Sequence, residues 1–206
     1  MTDGEKHRPK APARAPYDID SLTDVALRVF ADRGFDAATM DDVARAAGIT
    51  KASIYHHVSG KEALLERGLS RALEALFAVL DEPPAAAGEP LDRLRFILRR
   101  VATLAVELLP ELTVLVRIRG NSRTERTAIE RRRQFDAAVV EVVRAAQAAG
   151  GVDSKLDGPL IVRLMFGMVN SLVEWYRPTG RLPIDAIAET IVRTVIDGVA
   201  PRGARG

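Results

Sequence analysis

The chain has 206 residues, a formal net charge of +2 at pH 7 and no cysteine. The lack of cysteine excludes a disulfide framework and a thiolate metal site, and it agrees with a reducing cytoplasm. The first residues are polar and broken by proline, and no run of about 18 apolar residues occurs. We therefore expect a cytoplasmic protein with no membrane partner. A hydrophobic share of 47% with only 5% aromatic residues is typical of a helical protein.

Residues 1–16 contain three prolines and show no apolar periodicity. This composition predicts a disordered basic tail. The tail either reaches along DNA as a basic arm or only keeps the chain in solution. Its cationic side chains are Lys6, Arg8, Lys10 and Arg14. From residue 18 or 19 to residue 33, apolar residues recur at helical spacing, and Gly34 follows, which predicts the first helix.

The stretch 39–65 reads TMDDVARAAGITKASIYHHVSGKEALL. Thr39 and Asp42 have the spacing of a capping box, which predicts that a short helix begins here, and Gly48 ends it. Thr50 can cap a second short helix over residues 51–57. Two short helices joined by a glycine turn predict a helix-turn-helix, whose second helix enters the DNA major groove.

The rest of the chain is also predicted to be helical. Ser59 and Glu62 repeat the capping-box spacing and predict the start of a long helix over residues 60–80. Pro-Pro and further breakers predict a loop over residues 81–90. Apolar periodicity then predicts five more helices, over residues 91–109, 112–118, 122–149, 157–177 and 183–199.

Three phrases in the N-terminal part are specific: Phe-Ala-x-x-Gly-Phe, Thr-x-x-Asp-Val-Ala-x-x-Ala-Gly-Ile and Ser-Ile-Tyr-His-His-Val-x-x-Lys-Glu-x-Leu-Leu. Together they resemble the DNA-binding domain of the TetR family of bacterial repressors, over residues 18–65. The resemblance implies an all-α, TetR-like fold of about nine helices. A three-helix head, residues 17–65, would carry the helix-turn-helix, and a larger body, residues 66–206, would bind a ligand and dimerise.

The head supplies the candidate DNA-binding residues. Thr39 lies at a helix N-terminus, which suits a phosphate. Lys51 is the expected reader of base edges, with guanine as its target, because its neighbours offer few donors. Tyr55 and Lys61 are expected to bind phosphates. The full set is Thr39, Thr50, Lys51, Ala52, Ser53, Tyr55, His56 and Lys61.

The adjacent histidine pair does not predict a metal site. Neighbouring positions on a helix point about 100° apart, whereas helical zinc pairs use an i, i+4 spacing. We therefore expect neither a metal nor a cofactor. His57 is expected to pack inside the head rather than to face DNA.

A second resemblance concerns the body. GMVNSLVEWYRPTG, residues 167–180, resembles the end of the eighth helix in TetR regulators that respond to acyl-CoA thioesters. LVRIRGNSRTERTAIERRRQFD, residues 115–136, resembles the phenylacetate-type members. This implies a small-molecule effector, with phenylacetyl-CoA and fatty acyl-CoA as candidates. The alternative is a regulator of a multidrug efflux gene that responds to free aromatic or lipophilic compounds. The candidate ligand-binding residues are Arg117, Asn121, Phe135, Asn170 and Trp175.

Two features of the body allow either a ligand-binding or a purely structural interpretation. The Trp-Tyr-Arg run at residues 175–177 either belongs to the ligand site or only caps its helix. The arginine-rich start of helix 122–149 either forms a solvated face, with Glu125 and Glu130 as ion-pair partners, or contributes to an anion site at a pocket mouth. The candidates for such an anion site are Arg117, Arg119 and Arg123.

Helix 157–177 is apolar almost all round, so it must be covered on more than one face. The family resemblance implies that this helix and the last one form a four-helix interface in a homodimer, which suits a palindromic operator. The alternative is that both helices complete a monomer core. The candidate interface residues are Ile161, Leu164, Met168, Leu172, Ile187, Ile191 and Val195.

These observations predict a dimeric transcriptional repressor that a small-molecule effector releases from double-stranded DNA. An enzyme is not expected, because the chain has no glycine-rich phosphate loop, nucleophile elbow or paired-histidine metal motif. A helical interaction module without DNA binding is the remaining alternative. We expect repression rather than activation only because most regulators of the family that the chain resembles are repressors.

Overall fold

The computed structural model describes residues 18–200, which form ten helices and no strand. The predicted all-α fold is confirmed. The N-terminal tail of residues 1–16 lies outside the described residues. In chain order the helices are α1 (Ile19–Arg33), α2 (Met40–Ala47), α3 (Lys51–Tyr55), α4 (Lys61–Asp81), α5 (Pro83–Ala86), α6 (Pro90–Glu107), α7 (Leu109–Arg117), α8 (Arg123–Ala148), α9 (Gly158–Trp175) and α10 (Ile184–Val199).

The predicted capping box of α2 is present. The Asp42 N–H donates to the Thr39 hydroxyl at 3.2 Å, and the Thr39 N–H donates to the Asp42 carboxylate at 3.0 Å. Each partner satisfies an amide that a helix start leaves free. The hydrogen bond from the Thr39 hydroxyl also lowers the pKa of Asp42. Gly48 ends α2 in the left-handed conformation, with φ at 68°.

Two details of the head differ from the sequence prediction. Helix α3 ends at Tyr55, two residues before the expected position. The second capping box, at Ser59 and Glu62, is wrong, because no side chain caps the start of α4. Gly60 itself occupies the N-cap position, so Ser59 lies one residue too early to cap the first turn.

Helix α4 joins the head to the body, and a glycine permits its close contact with α1. A Cβ atom on Gly68 would lie 2.5 and 2.6 Å from the two methyl carbons of Leu27. Leu27 is completely buried, so its side chain has little room to move away. The glycine therefore lets α1 and α4 approach more closely than any larger residue would.

Three prolines that were expected to interrupt or end helices lie in the first turns of helices instead. Pro83 and Pro84 begin the short helix α5 instead of a loop, and Pro110 lies in the first turn of α7 instead of ending the preceding helix. The first turn of a helix tolerates proline because its amides have no intrahelical acceptor. Both positions are corrections to the predicted boundaries.

The body is built around α6 and α8. Helix α6 packs on α8, α9 and α10, and α8 packs on α4 and α9. Helix α7 lies against α1 and α4, so the body touches the head through more than the continuous helix α4. Within residues 18–200, no helix is long and apolar enough to cross a membrane.

Candidate DNA-binding surface and effector cavity

The side chains of α3 form an exposed surface on the head. Lys51, Ala52, Tyr55 and His56 are exposed, and their spacing places them on one side of the helix. Ile54 is fully buried and anchors α3 in the head's core. This arrangement leaves the candidate DNA-contacting side chains free to enter a groove.

Thr50 and Ser53, two further DNA-binding candidates, stabilise the start of α3. Thr50 caps α3 through the Ser53 N–H at 3.1 Å, and the two hydroxyl groups lie 2.8 Å apart. His57 is exposed, so the expectation that it packs inside the head is wrong. With α3 ending early, His57 falls in a turn that faces solvent.

Lys51 forms an ion pair on this surface. Its ammonium lies 2.9 Å from the Asp41 carboxylate of α2, and that hydrogen bond raises the pKa of Lys51. Both side chains are exposed, and exposed pairs of this kind contribute little to stability. A base in the major groove can therefore replace Asp41 as the partner of Lys51.

Lys61 has a structural role that sequence analysis did not anticipate. Its ammonium donates to the backbone carbonyls of Phe35, Asp36 and Ala38 at 2.9, 3.2 and 3.1 Å. It also lies 4.5 Å from the centre of the Phe35 ring. An ammonium has three protons to donate, and all three are used. These contacts show that Lys61 fixes the turn between α1 and α2, and its expected phosphate contact stays a prediction.

Two arginines that the sequence prediction did not include lie beside Thr39. Arg33 and Arg45 pair with Asp42 at 2.9 and 3.0 Å, and their side chains are 53% and 72% exposed. Thr39 itself donates its hydroxyl proton to Asp42 at 2.6 Å. A phosphate at the start of α2 would therefore meet these arginines and the helix N-terminus rather than a free Thr39 hydroxyl.

An open cavity of about 1020 Å³ lies in the body between α4, α6, α7, α8 and α9. Most of its walls are apolar, and Phe135 and Asn170 lie in the lining, as expected from the sequence. Phe135 is buried and stacks on Phe166, with ring centres 5.6 Å apart. The charged part of the lining comprises four arginines and three carboxylates: Arg132, Arg133, Arg144, Arg163, Asp136, Glu141 and Asp157.

One of these carboxylates, Asp136, interacts with two of the arginines. Asp136 is half-buried in the lining, and burial raises its pKa, while the charges of Arg132 and Arg163 lower it. The raised pKa shows that desolvation outweighs the arginines. The four lining positions 129, 132, 133 and 136 recur at helical spacing, a pattern that could have identified the cavity side of α8 from the sequence.

Three predicted ligand-binding residues do not line the cavity. Arg117 donates to the Ala31 carbonyl at 2.8 Å and to the Glu174 carboxylate at 3.0 Å. Asn121 donates to the Asp36 carboxylate at 2.9 Å. Ala31 and Asp36 belong to the head, so Arg117 and Asn121 attach the body to the head instead of binding in the cavity.

Trp175 also lies outside the cavity lining. It is 51% exposed, and its indole N–H lies 3.2 Å from the Ser171 hydroxyl. The aromatic surface of the cavity is formed instead by the stacked phenylalanines of α8 and α9, Phe135 and Phe166.

Glu125 is buried rather than solvated. Only 2% of its surface is exposed, and one carboxylate oxygen accepts the N–H groups of Arg119, Gly120 and Asn121 at 3.0, 2.7 and 3.0 Å. Its expected role as a surface ion-pair partner is wrong, because three amides satisfy the charge inside the protein. Glu130 does face solvent, 3.8 Å from Arg133.

The candidate interface residues divide into two groups. Leu164 and Met168 of α9 are 61% and 39% exposed, and Leu160 continues the same side of the helix at 51%. Leu172 is completely buried in the core of its own chain, so its expected place in an interface is corrected. The other four candidates are also mostly buried: Ile161, Ile187, Ile191 and Val195.

Comparison with known proteins identifies the class of protein. Residues 22–67 match the family described as "Bacterial regulatory proteins, tetR family", and residues 87–199 match "Tetracyclin repressor-like, C-terminal domain". The chain therefore belongs to the TetR family of transcriptional regulators, and it is a ligand-responsive transcriptional repressor of that type rather than an enzyme. Regulators of this family bind DNA operators and small-molecule effectors, typically as dimers.

Individual relatives span nearly the whole chain. The HTH-type transcriptional repressor KstR2 of Rhodococcus jostii (strain RHA1) is 31% identical over 186 residues, 87% of this chain and 89% of that protein. A TetR-family regulator from Streptomyces coelicolor A3 has a TM-score of 0.82 and 42% identity, covering 95% and 98% of the two chains.

A further solved structure shares the fold. AibR in complex with isovaleryl coenzyme A and operator DNA has a TM-score of 0.75 and 23% identity, covering 85% of this chain and 96% of that one. At this identity the likeness concerns the fold alone.

The role assigned to Lys61 can be tested by replacing it. Lys61→Met removes a charged donor from three carbonyls, so we expect the free energy of unfolding to fall by about 1–3 kcal/mol. Chemical denaturation measures this change. Lys51→Met is the matched control, since Lys51 is paired only at the surface, and it should leave stability nearly unchanged. Equal stability of the two variants would contradict this structural role of Lys61.

Proposed function

We propose that this regulator binds a palindromic operator as a homodimer and leaves it when an anionic, partly apolar effector fills the cavity of the body. The observation that carries this proposal is the lining of the cavity, where apolar walls meet four arginines. A CoA thioester, such as phenylacetyl-CoA or a fatty acyl-CoA, has both required parts. Its acyl group suits the walls, and its phosphates suit guanidinium groups.

The cavity's size and chemistry support this effector class. Its volume of about 1020 Å³ is at the upper end of the range for small-molecule sites. Phe135 and Phe166 offer flat apolar surfaces to an acyl or aryl group, and Asn170 can donate to a carbonyl oxygen. Arg163 favours this reading over a free lipophilic compound, because it forms no hydrogen bond or ion pair within residues 18–200 and its guanidinium can bind an anionic group.

The contacts between body and head provide a path for release. Val116 lines the cavity, and the next residue, Arg117, holds the head through the Ala31 carbonyl. Arg71 of α4 pairs with Asp24 of α1 and with Glu111 of α7. An effector that moves α7 or α4 would therefore reposition the head. By linkage, the same effector must bind the DNA-free form more tightly.

DNA binding is tested first, by electrophoretic mobility shift on the DNA upstream of the protein's own gene. We expect a sequence-specific shift that weakens as salt rises, because phosphate contacts release counterions. Lys51→Ala should lower the preference for cognate over scrambled DNA by about tenfold. Tyr55→Phe should weaken binding to both DNAs equally. No shift at low salt from folded protein would rule out the repressor.

The effector class is tested by thermal shift with phenylacetyl-CoA, fatty acyl-CoAs, coenzyme A and the free acids. A ligand that binds only the native state raises the melting temperature. Arg163→Ala should weaken thioester binding by about tenfold, because a charged hydrogen bond is lost. Asp136→Asn should strengthen binding, since it removes a negative charge from the lining.

Arg95→Ala is the control for these variants, because Arg95 is exposed on α6, pairs with Asp92 and does not line the cavity. Stabilisation by free aromatic or lipophilic compounds, with none by a CoA thioester, would support the efflux-type alternative and refute the thioester.

Dimerisation through α9 is tested by Leu164→Glu. A charge at this exposed apolar position would be buried without a partner in the dimer, so we expect monomers in analytical ultracentrifugation. Leu156→Glu is the matched control, because Leu156 is also exposed but precedes α9 in a loop. A Leu164→Glu protein that sediments like the unaltered protein would place the interface elsewhere or show that the chain is a monomer.

A further inference from the structure

A second, smaller cleft lies between α4 and the beginning of α8. Its volume is about 490 Å³, within the range of small-molecule sites. Its lining shares no residue with that of the large cavity. Helix α4 contributes Glu66, Leu69, Ser70 and Leu73, and α8 contributes Arg123, Thr124, Thr127, Ala128 and Arg131.

The two arginines of the cleft pair with no carboxylate within the described residues. Within residues 18–200, Arg123 forms no ion pair or hydrogen bond. Arg131 has no carboxylate partner in the same range and lies over the Phe77 ring, 5.7 Å from its centre. Elsewhere most of the body's arginines hold a carboxylate or a carbonyl, as Arg117 does. Two guanidiniums without a carboxylate partner therefore remain available at one cleft.

The rest of the lining suits a ligand with polar and apolar parts. The hydroxyls of Ser70, Thr124 and Thr127 have no hydrogen-bond partner within the described residues. Leu69, Leu73 and Ala128 are buried and form an apolar floor. Glu66 is the single acidic residue of the lining, so the arginines outnumber it by two to one.

We propose that this cleft is a second binding site, for a small organic molecule that carries two phosphate groups, such as a nucleoside bisphosphate. Arg123 and Arg131 are eight residues apart on α8, which places their backbones about 12 Å apart at 1.5 Å per residue. A phosphate at each end can pair with one guanidinium. The flat middle of the molecule covers the apolar floor, and the hydroxyls donate to phosphate or sugar oxygens.

An occupant of this cleft would act on both the head and the large cavity. It would bridge α4 and α8 next to Arg67, which ties α4 to Asp20 of the head at 2.8 Å. Phe77, under Arg131, contacts Phe135 edge to face, with ring centres 5.7 Å apart, and Phe135 lines the large cavity. Binding in the cleft can therefore be coupled to effector binding in the large cavity, although the two sites share no residue.

The test is isothermal titration of the full chain with adenosine 3′,5′-bisphosphate, AMP and pyrophosphate as probes. We expect the bisphosphate to bind more tightly than AMP, because AMP leaves one guanidinium unpaired. Arg123→Ala should weaken bisphosphate binding by about tenfold, the loss of one charged hydrogen bond. Arg123 is exposed and unpaired, so this variant should fold normally, which its circular dichroism and melting temperature will verify.

Two matched variants separate the possible outcomes. Arg95→Ala removes an exposed arginine from α6 and should leave binding unchanged. Arg163→Ala alters only the large cavity and should also leave it unchanged. Equal losses in Arg123→Ala and Arg95→Ala would show non-specific attraction and overturn the proposal. A loss in Arg163→Ala alone would move the probe to the large cavity, which refutes the second site while supporting the proposed effector class.

DNA is the other source of phosphate near the head. If Arg123→Ala weakens binding to every duplex by the same factor and no probe binds at millimolar concentration, Arg123 contacts DNA phosphates and the small-molecule proposal is wrong. If a probe binds and Arg123→Ala leaves duplex binding unchanged, the cleft is a small-molecule site. The experiment does not depend on the effector proposed for the large cavity.

Discussion

The buried carboxylate of Glu125 organises the junction between head and body. By accepting three backbone amides it closes the turn before α8 and sets where that helix begins. The same turn presents Asn121 to Asp36, and Arg117, just before it, holds the Ala31 carbonyl. A buried carboxylate without these amides would be strongly destabilising. The turn must therefore stay closed, which keeps Arg117 and Asn121 attached to the head.

Most cations near this junction are structural, which narrows the choice of ligand-binding residues. Lys61 donates to three carbonyls, and Arg71 joins α1, α4 and α7 through two carboxylates. Such groups satisfy acceptors that are mostly part-buried, so removing them is expected to destabilise the protein. The cations left for ligands are those without strong internal partners, chiefly Arg163 at the cavity and Arg123 at the cleft. Counting arginines in the sequence could not separate these two roles.

Features set by neighbouring residues were predictable. The caps at Thr39 and Thr50, the glycine stop at residue 48 and the all-α fold depend on spacings within one or two turns. Features set by distant partners were not. The carbonyls that hold Lys61 lie 23 to 26 residues away, and the partners of Arg117 lie 86 and 57 residues away. Phe135 and Asn170 were placed correctly in the cavity, whereas Trp175, on the same helix as Asn170, points outward.

Helix α4 is the element that the head, the cleft and the large cavity share. Leu64 lies in the core of the head, Leu73 forms the floor of the cleft and Leu76 lines the large cavity. Since these residues belong to one continuous helix, a ligand in either site can shift the head only by moving α4 or the helices packed on it. The close contact of Gly68 with Leu27 makes α1 follow such a movement. The polar attachments between body and head, those of Arg117 and Asn121 among them, resist it. The effector must therefore bind the shifted state more tightly, by more than the free energy needed to break these attachments.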